Sequence, residues 1–418
     1  MRTMKDSGVE WIGKIPQGWN VQRGKYTFSV LSGFAFPSSE FSTSEGIPLV
    51  RIRDITSGVT ETFFKGEYSE EFLVDDGDLL IGMDGDFGIR VWDNGQALLN
   101  QRCCKIIANK DNSLKYLFYV LPYELKRIND LAFFTTVKHL STEDLALVNI
   151  PLPSGEEQQR IADYLDAKCA EIDALIAAKE KTNTLLKERR QSIIYEAVTK
   201  GLVPNAPMKV SGIEWIGEIP VHWEVERLKH HIEFNPKTEI PEYGEDDSVS
   251  FIPMDCLRRG VHTSQTVDYS KVKSGYVDFA EGDILMAKVT PCLENGNLAI
   301  AGNLIDGVGF GSTEINVIRC KSIHREYLFY ILQCKTYVDR AVADMYGVAG
   351  LKRLNPSFIP NTKYPMPSIE EQQKIAEYLA ATCGEIDELV VANERTIEKL
   401  KEYRQSVIYE AVTGKLEV

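Results

Sequence analysis

One long amphipathic stretch occurs twice in this chain, and its duplication constrains the fold more than any other feature. The first copy runs from Ser154 to Thr199 and the second from Ser368 to Thr413. From Glu156 onward, 29 of 44 aligned positions are identical at a constant offset of 214 residues. In the first copy, apolar residues recur at steps of three and four residues or their sums, which is the one-sided pattern of an amphipathic helix. A helix of this length measures on the order of 60 Å and needs a partner along its length.

Both stretches carry start and stop signals. At each start a serine, Ser154 or Ser368, precedes a glutamate by three residues, which is the spacing of a capping box. At each end a glycine, Gly201 or Gly414, can adopt a left-handed conformation. Two helices of nearly the same sequence can pair through a pseudo-two-fold axis. The segment from Gly201 to Val210 reaches at most about 36 Å, too short to return along the helix, so we expect antiparallel pairing.

A second repeat lies near the start of each half of the chain. Residues 7–19 read SGVEWIGKIPQGW, and residues 211–223 read SGIEWIGEIPVHW. Each copy contains two tryptophans spaced by eight residues. We expect rings of this size in a Gly- and Pro-rich segment to pin it to a domain surface; stacking on a ligand is the less favoured alternative.

Between each tryptophan segment and its long helix lies a region with β-type runs. The first region, 20–150, contains IPLVRIRDI, GDLLIGMDGDFG and CCKIIA, and the second, 224–365, contains VSFIPMDCL, GDILMAKVT and INVIRC in the same order. Helical runs follow in both, and Lys138 aligns with Lys352 at offset 214. We therefore predict an α+β fold: two α/β domains separated by two long antiparallel helices in a coiled coil, as a pseudo-two-fold internal repeat. The predicted parts are a first domain (1–150), a first long helix (151–203), a second domain (204–364) and a second long helix (365–418).

Length and composition exclude several classes of protein. With 418 residues, the chain is too long for one core. It contains no run of 18 apolar residues, and its start lacks the apolar region of a secretory signal, so we expect a cytoplasmic location. None of the eight cysteines forms a CxxC pair, and the six histidines show no HxH or HxxxH spacing, so we expect no disulfide framework and no metal site. The net charge of −14 argues mildly against nucleic acid, although a local basic face or a basic partner can still bind it.

The repeated segments together resemble the specificity subunit of type I restriction–modification systems. The resemblance rests on PLPSGEEQQRIADYLD and PMPSIEEQQKIAEYLA, on the helix ends RQSIIYEAVTKGL and RQSVIYEAVTGKL, on the WIGKIPQGW opening and on the two GD-initiated strands. It implies that each α/β domain is a target-recognition domain for one half of a split, asymmetric site in double-stranded DNA. It also implies that the long helices set the half-site spacing and dock two modification (methyltransferase) subunits.

Catalysis is expected elsewhere. The resemblance implies methyl transfer from S-adenosylmethionine on the modification subunits and ATP- and Mg²⁺-dependent translocation and cleavage on restriction subunits, with no cofactor on this chain. The residues agree: the sequence contains no GxxxxGK[ST] loop. The segment Asn355-Pro356-Ser357-Phe358 is one residue away from the Asn-Pro-Pro-aromatic tetrapeptide of amino-methyltransferases, but the aligned residues 141–144 lack it. We predict that Asn355 caps a helix.

Arg, Lys, Asn and Gln side chains on loops are candidates for DNA contacts, since such groups read base edges or grip phosphate. Lys138 and Lys352 are favoured because both halves place a basic residue and a turn just before the final strand. Asp84 and Asp86 are more consistent with a turn than with reading a cytosine amino group. For each candidate, a solvated surface charge is the alternative. The candidates are Arg51, Arg53, Arg90, Gln101, Arg102 and Lys138 in the first domain, and Arg258, Arg259, Lys288, Asn295, Asn297, Lys352 and Arg353 in the second.

The helix ends stay nearly identical although only one face is needed for pairing. We predict that their outward residues, Tyr195, Glu196, Tyr409 and Glu410, dock the modification subunits. Two other functions stay open at this point. A protein scaffold with two binding ends needs no nucleic acid, and a self-sufficient methyltransferase incorporates methyl groups without partners.

Overall fold

The computed structural model describes residues 2–131, 138–348 and 350–418, without the side chains of Val348 and Leu351. It divides into two compact units. Unit 1 comprises Met1–Lys179 and Arg395–Val418, and unit 2 comprises Glu180–Glu394. Each unit therefore combines one α/β domain with a segment of each long helix, whereas the four-part division predicted from the sequence follows the repeats.

Unit 1 is built around two sheets. Four strands form an antiparallel sheet in the order β10-β9-β12-β4, and five form a mixed sheet in the order β5-β7-β6-β11-β8, in which β6 and β11 are parallel. The strands are β1 (Met4–Asp6), β2 (Lys14–Pro16), β3 (Asn20–Arg23), β4 (Phe28–Ser32), β5 (Phe41–Ser42), β6 (Ile47–Val50), β7 (Phe63–Phe64), β8 (Leu73–Val74), β9 (Leu79–Gly82), β10 (Ile89–Val91), β11 (Ala97–Leu99), β12 (Cys103–Ala108) and β13 (Asn149–Leu152). The helices are α1 (Gly24–Thr27), α2 (Ile52–Ser57), α3 (Leu114–Leu131), α4 (Thr142–Leu147) and the start of α5 (Gly155–Lys200).

Unit 2 contains two four-stranded sheets. One is antiparallel in the order β17-β26-β23-β24, and the other has the order β21-β18-β25-β22, in which β18 and β25 are parallel. The strands are β14 (Met208–Val210), β15 (Glu218–Pro220), β16 (Glu224–Arg227), β17 (Ile232–Phe234), β18 (Ser248–Ile252), β19 (Leu257–Arg258), β20 (Val261–His262), β21 (Gln265–Asp268), β22 (Val277–Ala280), β23 (Ile284–Ala287), β24 (Leu298–Ile300), β25 (Val308–Gly311), β26 (Ile315–Cys320), β27 (Tyr346–Val348), β28 (Leu351–Arg353) and β29 (Lys363–Met366). The helices are α6 (Arg325–Gln333), α7 (Lys335–Ala343), α8 (Phe358–Asn361) and most of α9 (Ile369–Val412).

The two units share one strand plan. In the antiparallel sheets, β4, β12, β9 and β10 take the places of β17, β26, β23 and β24. In the second sheets, the parallel pair β6 and β11 takes the place of β18 and β25. The six runs predicted to be strands from the sequence form β6, β9 and β12 in unit 1 and β18, β23 and β26 in unit 2, which confirms that prediction. The helical runs differ: α3 is continuous, whereas the chain of unit 2 breaks at Cys334 between α6 and α7.

The long helices start and stop as the sequence predicts. The backbone N–H groups of Glu157 and Glu371 donate to the Ser154 and Ser368 hydroxyls, both at 3.3 Å. Gly201 has a φ of 74° just past α5, where a left-handed residue ends the helix. Of the predicted capping box, these bonds are the serine half. The Glu157 carboxylate instead accepts from the Trp19 indole at 3.0 Å and so ties the tryptophan segment to the helix start.

Within each unit the two helix segments run antiparallel, as predicted. In unit 1, Arg2 contacts both Glu157 and Glu417, while Asp173 pairs with Arg404 at 3.0 Å. Residue numbers therefore rise along one segment and fall along the other. Unit 2 shows the same relation: Asn183 pairs with Asn393, Arg190 pairs with Asp387, and Gly201 lies beside Glu371. The helix interface of unit 1 is an apolar cluster of Ile172, Ile176, Ile397 and Leu400.

A repeated glutamine fixes each domain to its helix. Gln158 is buried, accepts a hydrogen bond from the Ser113 backbone N–H at 2.9 Å and donates to the Pro153 carbonyl at 3.1 Å. Gln372 accepts from the His324 N–H at 2.8 Å and donates to the Pro367 carbonyl at 2.9 Å. Ser113 and His324 directly precede α3 and α6. The glutamine thus satisfies a backbone donor at the start of each domain helix.

The tryptophan segments pack as predicted. Trp19 and Trp223 lie in the main cores of unit 1 and unit 2. Trp11 stacks on Tyr123 with ring centroids 5.4 Å apart and donates to Glu124 at 2.6 Å. The pinning role of these rings is therefore confirmed.

Candidate nucleic-acid interface

Three segments of unit 1 meet beside the ends of β9 and β12. They are residues 83–88, 100–102 and 138–139, and we name them corner 1. The Met83 N–H donates to the Arg102 carbonyl at 2.8 Å, and the Gly85 N–H donates to the Lys138 carbonyl at 3.2 Å. The Leu140 N–H returns a bond of 2.7 Å to the Met83 carbonyl. Main-chain hydrogen bonds therefore join the three segments to one another.

Three segments of unit 2 meet in the same way, and we name them corner 2. They are residues 288–297, 312–314 and 352–353. The Lys288 N–H donates to the Glu314 carbonyl at 3.0 Å, and the Thr290 N–H donates to the Lys352 carbonyl at 3.1 Å. The Leu354 N–H donates to the Lys288 carbonyl at 2.8 Å.

These hydrogen bonds establish which residues of the two corners are equivalent. Lys138 and Lys352 occupy the same place, which confirms their pairing in the sequence. Arg102 and Glu314 also occupy the same place, so the charge at this position is reversed between the units. The next equivalent pair is His139 and Arg353, each of which follows the shared lysine.

The side chains of corner 1 centre on Asp84. Arg102 Nη1 lies 2.9 Å from Asp84 Oδ2, and His139 Nδ1 lies 2.8 Å from Asp84 Oδ1. Lys138 donates to the Asn129 side chain. Asp84 thus binds two side chains, those of Arg102 and His139. The turn role predicted for Asp84 from the sequence did not include these contacts.

The side chains of corner 2 centre on Glu314. Arg353 binds this carboxylate through two nitrogens, with Nε 3.1 Å from Oε2 and Nη2 2.5 Å from Oε1. This bidentate hydrogen bond lowers the pKa of Glu314, and the nearby charge of Lys288 lowers it further. Lys352 is exposed, and its backbone N–H donates to Thr290 Oγ1 at 3.0 Å.

The remaining candidates of unit 1 lie on other surfaces. Arg51 and Arg53 line a cleft of about 750 Å³. Arg53 lies 3.4 Å from Asp54 and contacts the Thr62 hydroxyl at 3.3 Å. Arg90 pairs with an aspartate three residues on, and Gln101 is exposed within corner 1. Corner 1 therefore gathers Gln101, Arg102 and Lys138, but not the other three candidates.

The remaining candidates of unit 2 divide between corner 2 and a hairpin. The hairpin is formed by β19 and β20, and in it the Arg258 side chain donates to the Leu257 carbonyl. The guanidinium of the next residue, Arg259, lies over Gly296. Burial, and then the charge of Arg190, lower the pKa of Arg259. Asn295 is exposed within corner 2. The expectation that Asn297 presents its side-chain amide to DNA needs correction, because the residue is only 6% exposed. Its backbone carbonyl accepts from the Ala287 N–H at 3.0 Å, which holds the residue against β23.

The predicted docking residues also divide into two groups. The Tyr195 hydroxyl contacts the Ile216 carbonyl at 3.1 Å, and Tyr409 packs against Tyr123 and under Lys415. The expectation that both tyrosines point outward is corrected by these contacts, since each holds the tryptophan segment or the chain end of its own unit. Glu196 is exposed and Glu410 is half-buried. The docking role of all four residues stays a prediction.

Sequence reasoning missed His139 and Glu314. The repeat between the two halves of the chain indicates both residues. His139 follows Lys138 as Arg353 follows Lys352, and Glu314 directly precedes the strand that matches the one after Arg102. These polar side chains of the two corners therefore occupy equivalent positions of the two halves, whether they are basic or acidic.

Within residues 2–131, 138–348 and 350–418, no helix is both long and apolar enough to cross a membrane. In the same described part of the chain, no group of three or more His, Cys, Asp or Glu side chains is arranged to hold a metal ion.

Comparison with known proteins identifies the family. The sequence model described as "Type I restriction modification DNA specificity domain" matches the chain twice, over residues 16–186 and 220–399. The type I restriction enzyme EcoBI specificity subunit of Escherichia coli is 31% identical over 410 residues, covering 93% of this chain and 84% of that protein. The type I restriction enzyme MjaVIII specificity subunit of Methanocaldococcus jannaschii is 24% identical over 419 residues, covering 97% of this chain and 94% of that protein.

Solved structures show the same fold. A chain from a structure concerned with complex assembly and conformational transition of the type I R-M system has a TM-score of 0.71 and 19% identity, covering 96% of this chain and 99% of that chain. The HsdS subunit from Thermoanaerobacter tengcongensis has a TM-score of 0.51 and 18% identity, covering 96% of this chain and 98% of that chain. The fold and the two corners define an internally duplicated protein with two dissimilar polar surfaces. The chain belongs to the family of type I restriction–modification DNA specificity subunits, and it is a non-catalytic subunit.

Proposed function

We propose that corner 1 and corner 2 are the DNA-reading surfaces of this specificity subunit, each reading one half of a bipartite, asymmetric duplex site. The observation that carries the proposal is that one main-chain frame is built twice with different polar side chains. A shared frame lets both units approach a duplex in the same way. Different side chains then select different bases, because sequence is read by side-chain groups at base edges.

The exposed basic residues outside the corners are proposed to grip phosphate. Arg51, Arg53 and Arg258 are exposed, and Arg51 and Arg53 share one cleft. Because the net charge of the chain is −14, the phosphate charge of DNA has to be offset by local basic groups such as these and by the partner subunits. Binding is therefore expected to be weak for the isolated chain and to weaken with salt.

The long helices are proposed to set the half-site spacing and to dock two modification subunits, to which restriction subunits are added. Family membership supports this assembly role. We place no cofactor on this chain: S-adenosylmethionine, ATP and Mg²⁺ are proposed to act on the partner subunits. A cytoplasmic location, where DNA and these partners are found, is part of the proposal.

The recognition proposal is tested with the complex of this chain and its modification subunits. The site is first determined by sequencing methylated positions in host DNA with and without the gene. The complex is then titrated against duplexes that carry the whole site, either half-site shuffled, or both shuffled. We expect tight binding of the whole site alone. Equal affinity for all four duplexes overturns the proposal.

The docking proposal has its own test. Glu196→Lys and Glu410→Lys reverse one charge on each helix end without touching either corner. We expect the double variant to elute separately from the modification subunits in gel filtration, while the single variants retain one subunit. An intact complex with the double variant contradicts a docking role for these residues. Glu188→Lys serves as the control, since this exposed glutamate lies outside the predicted docking set.

A further inference from the structure

Each corner contains one exposed arginine that is held by a carboxylate. In corner 1 the pair is Arg102 with Asp84, and in corner 2 it is Arg353 with Glu314. The arginines are not at equivalent positions: Arg102 occupies the place of Glu314, and Arg353 occupies the place of His139. The same kind of pair is therefore built twice, with the arginine contributed by different segments of the frame.

The geometry leaves one edge of each guanidinium available. Arg102 uses Nη1 to contact both Asp84 oxygens, at 3.1 and 2.9 Å. Arg353 uses Nε and Nη2 for Glu314. Among the described residues, the remaining nitrogens of these two side chains have no other acceptor. The side chains are 54% and 49% exposed, so a ligand can reach these nitrogens from solvent.

The carboxylate also determines which ligand fits. A phosphate next to Asp84 or Glu314 is repelled by the negative charge, whereas the edge of a base is neutral. An arginine fixed by a carboxylate has already lost much of its side-chain freedom, so it loses less on binding. The planar guanidinium matches the O6 and N7 acceptors of guanine in the major groove, which is the commonest specific contact of arginine with DNA.

We infer that Arg102 and Arg353 each read a guanine, one in each half of the site, with Asp84 and Glu314 as positioning residues. This inference rests on the proposed function of the corners. It adds the base that one side chain of each unit selects. Because the arginines come from different segments of a shared frame, the two guanines lie at different positions within their half-sites.

The experiment uses the complex with modification subunits and compares Arg102→Gln, Arg353→Gln and the control Arg325→Gln. Arg325 is 44% exposed and pairs with Glu326, but it lies at the start of α6, outside corner 2. Affinity is measured for the site and for every single base-pair change in it, at several salt concentrations. Far-ultraviolet circular dichroism and gel filtration check that each variant folds and assembles.

We expect Arg102→Gln to weaken binding of the site roughly 10- to 100-fold and to remove discrimination at one G·C pair in one half-site. Arg353→Gln has the same effect at one G·C pair in the other half-site. Arg325→Gln leaves affinity and discrimination unchanged in both half-sites. Arg102→Lys keeps the positive charge but loses the planar pair of donors. We expect it to lose the same affinity and G·C discrimination as Arg102→Gln. In Asp84→Asn the G·C preference persists while affinity falls.

Three results overturn the inference. Weakening that is uniform across sequences, with the salt slope reduced by about one, identifies a phosphate contact instead. Relaxed discrimination in Asp84→Asn but not in Arg102→Gln shows that the carboxylate reads cytosine. Unchanged affinity and discrimination in the arginine variants show that these side chains do not touch DNA. If the unmodified complex itself does not prefer its bipartite site, the proposed function fails, which is a separate outcome.

Discussion

Corner 1 and corner 2 have the same main-chain hydrogen bonds and different side chains at equivalent positions. In corner 1 a central aspartate binds Arg102 and His139, and in corner 2 a central glutamate binds Arg353. The three backbone hydrogen bonds that join the segments are the same in both. Because these three bonds join main-chain groups, they form with different side chains at the same positions, as the two corners show.

The helix segments differ between the units in a second way. In unit 2, buried Asn183 accepts a hydrogen bond from Asn393 at 2.9 Å. At the offset of 214, the position equivalent to Asn183 is Ile397, which packs in the apolar cluster of unit 1. The hydrogen bond between the two amides forms in one register only, whereas an apolar contact tolerates several. The amide pair in unit 2 therefore contributes more to register than the cluster in unit 1.

The largest effect is expected at the two buried tryptophans. Trp19→Ala and Trp223→Ala each remove a large core side chain and should lower the free energy of unfolding by about 3–5 kcal/mol. The measurement is denaturant unfolding, with hydrogen exchange to show that protection falls in the unit that carries the change.

The corresponding phenylalanine variants sharpen the comparison. Trp19 donates to Glu157, whereas the Trp223 indole nitrogen is buried without a partner within the described residues. Trp19→Phe should therefore cost about 1 kcal/mol more than Trp223→Phe. Equal costs contradict a stabilising role for the bond to Glu157.

The next effect concerns the exchange of equivalent residues in the helix pair. Ile397→Asn places an amide in the apolar cluster of unit 1 and should cost about 3 kcal/mol. Asn183→Ile should change stability by less than about 1 kcal/mol, because the lost hydrogen bond is offset by apolar burial. Denaturant unfolding measures both, and Ile397→Val provides the matched control for volume. Equal costs for the two exchanges contradict the difference between the segments.

A smaller effect is expected at the equivalent ion pairs of the helices. Arg190 pairs with Asp387 and is 10% exposed, whereas Arg404 pairs with Asp173 and is 33% exposed. Arg190 also donates to buried Gln333 at 3.2 Å. Arg190→Met should therefore cost about 2 kcal/mol and Arg404→Met less than about 1 kcal/mol, since exposed pairs contribute little. Thermal unfolding of both variants gives the order, and a larger loss for Arg404→Met reverses the argument.

The smallest effect is a pH dependence in corner 2. The hydrogen bond from Arg353 lowers the pKa of Glu314. The pair therefore stabilises the fold at pH values above the ordinary glutamate pKa, and this stabilisation is lost as the pH falls through the lowered pKa. In Arg353→Gln the pKa of Glu314 should rise toward its ordinary value. Carboxyl NMR titration of the labelled side chain measures this shift. A pKa that does not move shows that the Arg353 bond is not its cause.

Much of the fold is predictable because it is repeated. The matched runs identify the strands, and the short link after Gly201 predicts antiparallel helices. The break at Cys334 was not predictable from the sequence alone, because REYLFYILQCKTYVDRAV has no proline or glycine to mark it. The equivalent run in unit 1 contains Pro122 within a continuous helix, so the local signal even favours the opposite result.

The site was predictable in part. The sequence predicts Arg102, Lys138, Lys352 and Arg353 as basic candidates for DNA contacts, and all four lie in the corners. Their carboxylate partners depend on contacts between segments far apart in the chain, such as Arg353 with Glu314, which no local pattern records. The burial of Asn297 has the same origin, since it is set by how its loop folds back on β23.

The most direct test of independent reading by the two corners is the methylated sequence produced by chains in which one corner is changed and the other is left intact. The variants are Glu314→Gln with Arg353→Gln in corner 2, and Asp84→Asn with Arg102→Gln in corner 1, each in complex with the modification subunits. We predict that each pair of changes relaxes one half of the site and leaves the other half and the spacing as they were. If either variant alters both halves, or if both variants methylate the original site with full discrimination, the corners are not independent readers of DNA.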